Sequence, residues 1–284
     1  MKILRLLPIS LAAFGALVSC SGNKENPEAV GLLEAATVAS DEGHLSESMM
    51  LLDSLQKLYP EEISVQRRAM ILRPQVIEKQ AIRSIAAIDS MTNADSAAMN
   101  ALKPLMKWVK TPGMIEGYYT DAKTYNASFM NTTGIEPRVS EIGQFYIVSS
   151  LNPSGGTHHE AVTLTAGGSS VSTPRVAYDG ESNYRIGSGE VITFSPEQSD
   201  TIGYFASEIL KTSPAAKATL SFIGAKGRKP VNLSANQLRA IANAYNYSKA
   251  IVRARDNQVE RQRLEKTIEI ARRQAAIASA PREE

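Results

Sequence analysis

From Ser234 to Ser279 the chain runs without a glycine or a proline, and no other feature constrains the fold as much. The run opens on Ser234-Ala235-Asn236-Gln237, a capping box in which Ser234 and Gln237 satisfy backbone donors at a helix start. Leu238, Ile241, Tyr245, Val252, Val259, Leu264, Ile268 and Ala275 then recur among Arg, Lys, Glu and Gln, which is the spacing of one helix. At a rise of about 1.5 Å per residue that helix reaches roughly 60 Å, longer than a small domain is wide. Part of it must therefore lie against another helix.

The spacing offers one partner. Ile63, Ala69, Met70, Val76, Ile77, Ala81, Ile85, Ile88 and Met91 trace a second long helix, which enters the middle of the chain as the last helix leaves it, so the two are expected to run antiparallel. Ser248, Arg255 and Gln262 fall at would-be seam positions and argue for an imperfect coiled coil. Pro74 predicts a kink or a break. Thr92-Asn93-Ala94-Asp95 predicts an end, a shorter helix should cover Ala97 to Trp108, and Thr111-Pro112-Gly113 should close the helical half.

Before Pro60, Leu32, Leu33, Ala36 and Ala39, then Leu45, Met49, Leu52, Leu55 and Leu58 predict two short helices joined near Asp41-Glu42-Gly43. Leu32, Ala35, Ala36, Ala39, Gly43, Leu45, Ser48, Leu52, Leu55 and Pro60 stand at the spacing of a tetratricopeptide repeat, which this segment resembles. It departs from the repeat at Leu32, where an aromatic residue is common, and at Ser48, where Ala is preferred. A single hairpin cannot bury its own apolar face, so it must pack on the helix that follows.

Between Gly117 and Val231 the texture changes to short alternating runs separated by turn residues. Strands are expected at Gln144–Ser149, Glu160–Thr165, Arg175–Tyr178, Glu190–Phe194 and Ala218–Ile223. Turns are expected at 152–156, at Asp179-Gly180, at Gly187-Ser188-Gly189 and at 224–227. Ser199–Leu210 fits a strand or a helix. The predicted class is α+β: N-terminal helices and a long C-terminal helix flank an antiparallel β unit, a sandwich or barrel, and the last helix packs back on the first ones. The expected segments are 28–111 helical, 112–232 β and 233–280 helical.

The N-terminus sets an address. Lys2 and Arg5 precede an apolar stretch from Leu6 to Val18, too short to span a bilayer and built like a secretory signal of residues 1–19. It ends in Leu17-Val18-Ser19-Cys20, which resembles the lipobox of bacterial lipoproteins. That resemblance implies cleavage before Cys20, acylation of its thiol, and anchorage to membrane lipid through residues 20–27, a polar tether. Ser21, rather than Asp, implies the outer membrane under the enterobacterial sorting rule. In its combination of helical hairpin, β unit and terminal helix the chain is similar to lipoproteins of the Bacteroidetes. Cys20 is the only cysteine, so disulfide and thiol chemistry elsewhere are excluded.

Chemistry is sparse in the rest. A net charge of +2 with mixed signs along the last helix argues against nucleic acid as a partner. His158-His159-Glu160 is a thin case for a metal, because adjacent residues on an extended chain point to opposite faces; an exposed turn is expected, with no metal and no cofactor. Gly187-Ser188-Gly189 lacks the strand–elbow–helix setting of a hydrolase nucleophile, and no Ser–His–acid triad is legible. Lys226-Gly227-Arg228-Lys229-Pro230 could hold an anion but is expected to be a solvated turn between the last strand and the last helix. Trp108, Tyr118, Tyr119 and Tyr125 are expected to pack at a junction, with a sugar- or peptide-binding patch as the alternative. An enzyme would need Asp179, Glu181 or Glu190 to converge in a cleft. The expected function is a non-enzymatic, membrane-anchored scaffold with a protein partner in the cell envelope; binding of an envelope glycan and an unfamiliar enzyme are the alternatives.

Overall fold

The computed structural model describes residues 25–280; the signal segment 1–19 and Cys20 lie outside them. The described chain is α+β, in two compact units. One holds the residues up to Gln80 with those from Ile268 on, and the other spans Ala81–Thr267.

In the first unit, α1 (Pro27–Asp41) and α2 (Leu45–Leu58) form the expected hairpin. Asn26 caps α1 by accepting the Glu28 amide at 2.9 Å, with Pro27 in the first turn, where its missing N–H costs nothing. Gly43 turns the chain at φ 82°, a conformation that favours glycine. Ala36, Leu52 and Leu55 are buried with Val65, Ala69 and Val76 from the start of α3 (Ile63–Leu102). Each leucine buried this way contributes about 1.5–3 kcal/mol. Ser48, where the repeat prefers Ala, is also buried and donates its hydroxyl to the Ala36 carbonyl at 2.7 Å.

α3 runs through both predicted breaks. Pro74 is buried within it, so packing of the ring offsets the lost backbone bond. The polar stretch around Asp95 stays helical because α5 (Ala235–Ser279) satisfies it: Arg253 Nε lies 2.8 Å and Asn257 Nδ2 3.5 Å from the Asp95 carboxylate. One pair further on, Arg261 meets Asp89 at 3.1 Å, so α3 and α5 run antiparallel within the second unit. In the first unit Arg272 reaches Glu78 at 2.7 Å. Ser248 and Arg255 do not sit in that seam. Both donate to carbonyls of the β unit, those of Gly143 and Ile142, which is why polar residues stand there.

The helix expected over Ala97–Trp108 ends at Leu102, and β1 (Met106–Val109) already belongs to the β unit. With β2 (Tyr118–Asp121), β3 (Gly134–Ser140), β4 (Phe145–Leu151), β7 (Asn183–Ile186) and β8 (Gly189–Thr193) it forms an antiparallel sheet of order β1-β2-β3-β4-β8-β7. A second antiparallel sheet, β10-β9-β5-β6, contains β5 (His159–Ala166), β6 (Ser169–Ser172), β9 (Ala218–Gly224) and β10 (Gly227–Leu233). Neither sheet closes into a barrel.

α4 (Pro196–Thr212) resolves the ambiguous stretch as a helix, started by a full Ser195/Gln198 capping box. Arg175–Tyr178 is not a strand: the Asn183 side-chain amide takes the Val176 carbonyl at 2.7 Å in place of a ladder partner. The basic segment 226–230 is not a free turn. From Gly227 it is strand β10, with Arg228 bonded to the Ser221 hydroxyl and Lys229 to the Pro153 carbonyl. The core of this unit combines Ile147, Leu151 and Ile192 of the six-stranded sheet with Leu164, Leu220 and Phe222 of the four-stranded one, and with Ile202 of α4 and Ile241 of α5.

Candidate functional site

Strand periodicity sorts the six-stranded sheet into two faces. Ile135, Val139, Phe145, Ile147 and Ile192 point into the core. The alternate residues point away from it, and register pairs them across strands: Tyr118 with Ser140, Arg138 with Tyr146, Val148 with Thr193, Val191 with Tyr184. Because directly opposed residues share a face, this outer face collects tyrosines, short hydroxyl side chains and one ion pair.

The ion pair is its centre. Arg138 Nε and Nη2 each lie 2.6 Å from Glu136 Oε1, two residues earlier on the same strand. The Arg138 guanidinium sits 4.1 Å above the Tyr118 ring, and the Tyr118 hydroxyl donates to Glu136 at 3.4 Å. Burial by itself would lower the basicity of Arg138, but the Glu136 carboxylate raises it, so the guanidinium keeps its charge. Burial pushes the Tyr118 hydroxyl up to about 12, and raises those of Tyr146 and Tyr184. All three remain neutral donor–acceptors.

Two cavities open on this face. The smaller, about 250 Å³, has Glu136, Arg138 and Tyr118 as its floor and Val109, Met114, Tyr125, Phe129 and Met130 around it. The loop after β2 builds that rim: Asp121 Oδ1 accepts the amides of Lys123 and Thr124 at 3.0 Å, and the resulting turn places Tyr125, which carries the Lys107 ammonium 3.9 Å above its ring. The larger cavity, about 550 Å³, is lined by Ser140, Gln144, Tyr146, Ser182, Thr193 and Gln198, with Glu116 and Asp179 among its other residues. The Asp179 carboxylate is held below its usual range by the amides of Asn183 and Glu181, with which it shapes the turn before β7.

A second constellation lies on the inner face. His159 on β5 bridges the two sheets: its Nδ1 is 3.1 Å from Glu190 Oε2 on β8, and its Nε2 is 3.0 Å from the Ser149 hydroxyl on β4. Glu190 also accepts the amides of His158 and His159 at 2.9 and 2.8 Å. Ionised Glu190 can only accept, so Nδ1 carries the proton and Nε2 takes the Ser149 hydroxyl. This is the connectivity of a hydrolytic triad, yet Ser149, His159 and Glu190 are 0, 1 and 3 % exposed. Burial lowers the affinity of His159 for a proton, although Glu190 works the other way. Burial would raise the Glu190 carboxyl, but hydrogen bonds from the His159 backbone and ring and the His158 amide bring it below its usual range.

The residues singled out from the sequence therefore scatter. His159 is not part of an exposed turn but a core residue, whereas His158 is half-buried at φ 54°, 3.4 Å from Arg185. Among the described residues no group of three metal-ligating side chains gathers. Asp179, Glu181 and Glu190 do not converge: the first braces a turn, Glu181 is exposed and Glu190 is sealed under His159. Of the four aromatics, Tyr119 packs on Tyr247 at the core and Trp108, 40 % exposed, lies over Tyr119, while Tyr118 and Tyr125 face the smaller cavity. The Glu136/Arg138 pair, Tyr146 and Tyr184 were not singled out; the alternation of Glu136, Arg138 and Ser140 around Pro137 and Val139 is the signal that marks β3. No protein-family model, curated protein or solved structure matches the chain.

Proposed function

We propose that this chain is an exported, lipid-anchored and non-enzymatic interaction protein of the cell envelope, and that it engages its partner through the outer face of the six-stranded sheet. The observation that carries the second half is the pair of concavities that this face keeps open beside the buried cluster of Phe129, Val148 and Val191 that covers part of it. Their lining is self-neutralised and aromatic on one side and rich in hydroxyls and amides on the other, a mixture suited to recognition. The sealed state of the Ser149–His159–Glu190 array supports a structural role for it, since a nucleophile must meet its substrate.

The anchor rests on the Leu17–Cys20 motif, outside the described residues. Among those residues no helix is long and apolar enough to cross a membrane. Several acyl chains on one residue hold far more firmly than one.

The test is capture. Full-length protein in detergent is used as bait for a solubilised envelope extract, beside a Tyr125→Ala/Gln144→Ala variant that alters the rims of both cavities. One stoichiometric companion that the variant loses is the expected result. Equal capture by bait and variant would remove the face from the reading.

A further inference from the structure

Positive charge collects around the loop that joins β4 to β5, and no carboxylate among the described residues pairs with it. Loop 152–158 crosses from the six-stranded sheet to the four-stranded one. Lys229 of β10 stands at its start and donates to the Pro153 carbonyl at 2.7 Å. Arg185 of β7 stands at its end, 3.4 Å from His158 Nδ1, with the guanidinium 4.6 Å from the centre of the Tyr178 ring. Lys226, in the turn between β9 and β10, is tied to the loop by its amide, which donates to the Thr157 carbonyl at 3.2 Å. All these contacts are neutral. No ion pair joins Arg185, Lys226 or Lys229 to a described residue, whereas Arg175 is answered by Glu160 at 2.8 Å. Glu190 is sealed, its carboxylate on the amides of His158 and His159 and on the His159 ring.

We propose that this loop and these cations form a binding site for a phosphate group. Gly155 and Gly156 are left-handed at φ 62° and 75°, and nothing stands within 4 Å of where a Cβ would be, so a ligand can come down on bare backbone. His158 takes the same left-handed form at φ 54°, alone among the described non-glycine residues. Glycine would make that turn without strain; the imidazole is what histidine adds. A guanidinium only donates, so Nδ1 accepts from Arg185 and Nε2 carries the hydrogen, a further donor beside the cations. Arg185 offers a planar fork and the lysines compact charges, Lys229 having placed one of its three donors on Pro153. Donors arriving from three elements suit a tetrahedral oxyanion, with its charge over three oxygens, better than a planar carboxylate with two. A neutral ligand would leave the charge unanswered. Arg228, one residue before Lys229, points to the opposite face of β10 and onto the Ser221 hydroxyl, and so lies outside the site.

Calorimetric titration of the full-length protein with pyrophosphate, in an uncharged detergent, tests this. Saturable binding is expected, with citrate, an anion of similar charge built of carboxylates, binding more weakly. Lys226→Gln, on an exposed turn, and Arg185→Gln should each weaken pyrophosphate about tenfold or more, one good contact's worth. Arg228→Gln removes the same charge from the other face of β10 and should leave the affinity nearly unchanged; melting curves show that each variant is folded. The source of the phosphate is read by flotation of residues 21–284, which contain every described residue, with phosphatidylcholine vesicles that hold or lack phosphatidic acid. Capture that needs both phosphatidic acid and Arg185 assigns a lipid headgroup; pyrophosphate binding without such capture assigns a soluble phosphate compound. Binding of neither probe, citrate held as tightly as pyrophosphate, or binding indifferent to both Lys226→Gln and Arg185→Gln overturns the site. On β7 it is Tyr184, not Arg185, that faces outward with Val191, so capture of an envelope companion by the outer face should survive these variants.

Discussion

Glu190 carries more hydrogen bonds than its place on a strand needs, and its neighbours share the consequences. It holds two backbone amides and fixes the tautomer of His159, which in turn takes the Ser149 hydroxyl. Glu190→Gln replaces an acceptor of three donors with a group that is half donor. The expected loss is about 2–3 kcal/mol, as for a buried charged hydrogen bond, read as a lower denaturation midpoint. Ser149→Ala removes a single neutral bond and should cost about 1 kcal/mol. The array also makes stability depend on pH. The folded pKa of His159 lies below its ordinary 6.5, so between the two values the unfolded chain binds more protons and stability drops as pH falls below about 6.5. Glu190, likewise depressed from 4.5, adds a further loss below that value. Melting temperature should be level above pH 7 and decline toward pH 5; a His159→Gln variant, though less stable overall, should lose the upper part of that decline.

At the scale of elements, α4 is held to its sheet by a missing side chain. A Cβ at Gly203 would stand 2.3 Å from the Tyr245 ring and 2.7 Å from that of Phe145, which pack edge to face at 5.4 Å. Gly203→Ala should therefore destabilise the protein by about 1–3 kcal/mol through overpacking, despite the better helix propensity of alanine; a gain in stability on thermal denaturation would show that α4 is free to shift. The same scale separates what patterning reveals from what it hides. Long helices and the strands around Val148, Val162, Ile192 and Leu220 were legible because their apolar residues repeat at one period. β1, β2, β6, β7 and β10 were not, since Lys107, Ser170 and Lys229 interrupt the runs and their strands are specified by their neighbours; β3 does alternate, but its Pro137 argues against an interior strand. Pro74 and Asp95 misled in the opposite sense: each breaks a helix locally, and each is compensated from a distance, by burial or by Arg253 and Asn257.

For the whole molecule, the anchor and the fold are expected to be independent. Cys20→Ser should move the protein from the membrane to the soluble fraction while its far-UV circular dichroism and melting temperature stay the same; retention on the membrane would sink the acyl-anchor reading. What the sequence by itself determined is the set of local decisions: the α+β class, the hairpin before Pro60, the capped terminal helix and the turns at glycine. These rest on nearest neighbours along the chain, where period and cap chemistry act. Tertiary structure alone decided the candidate face and the sealed triad. Arg138 meets Tyr146 only through the register of β3 on β4, and His159 meets Ser149 and Glu190, the latter 31 residues away, only once the two sheets pack face to face around a common core.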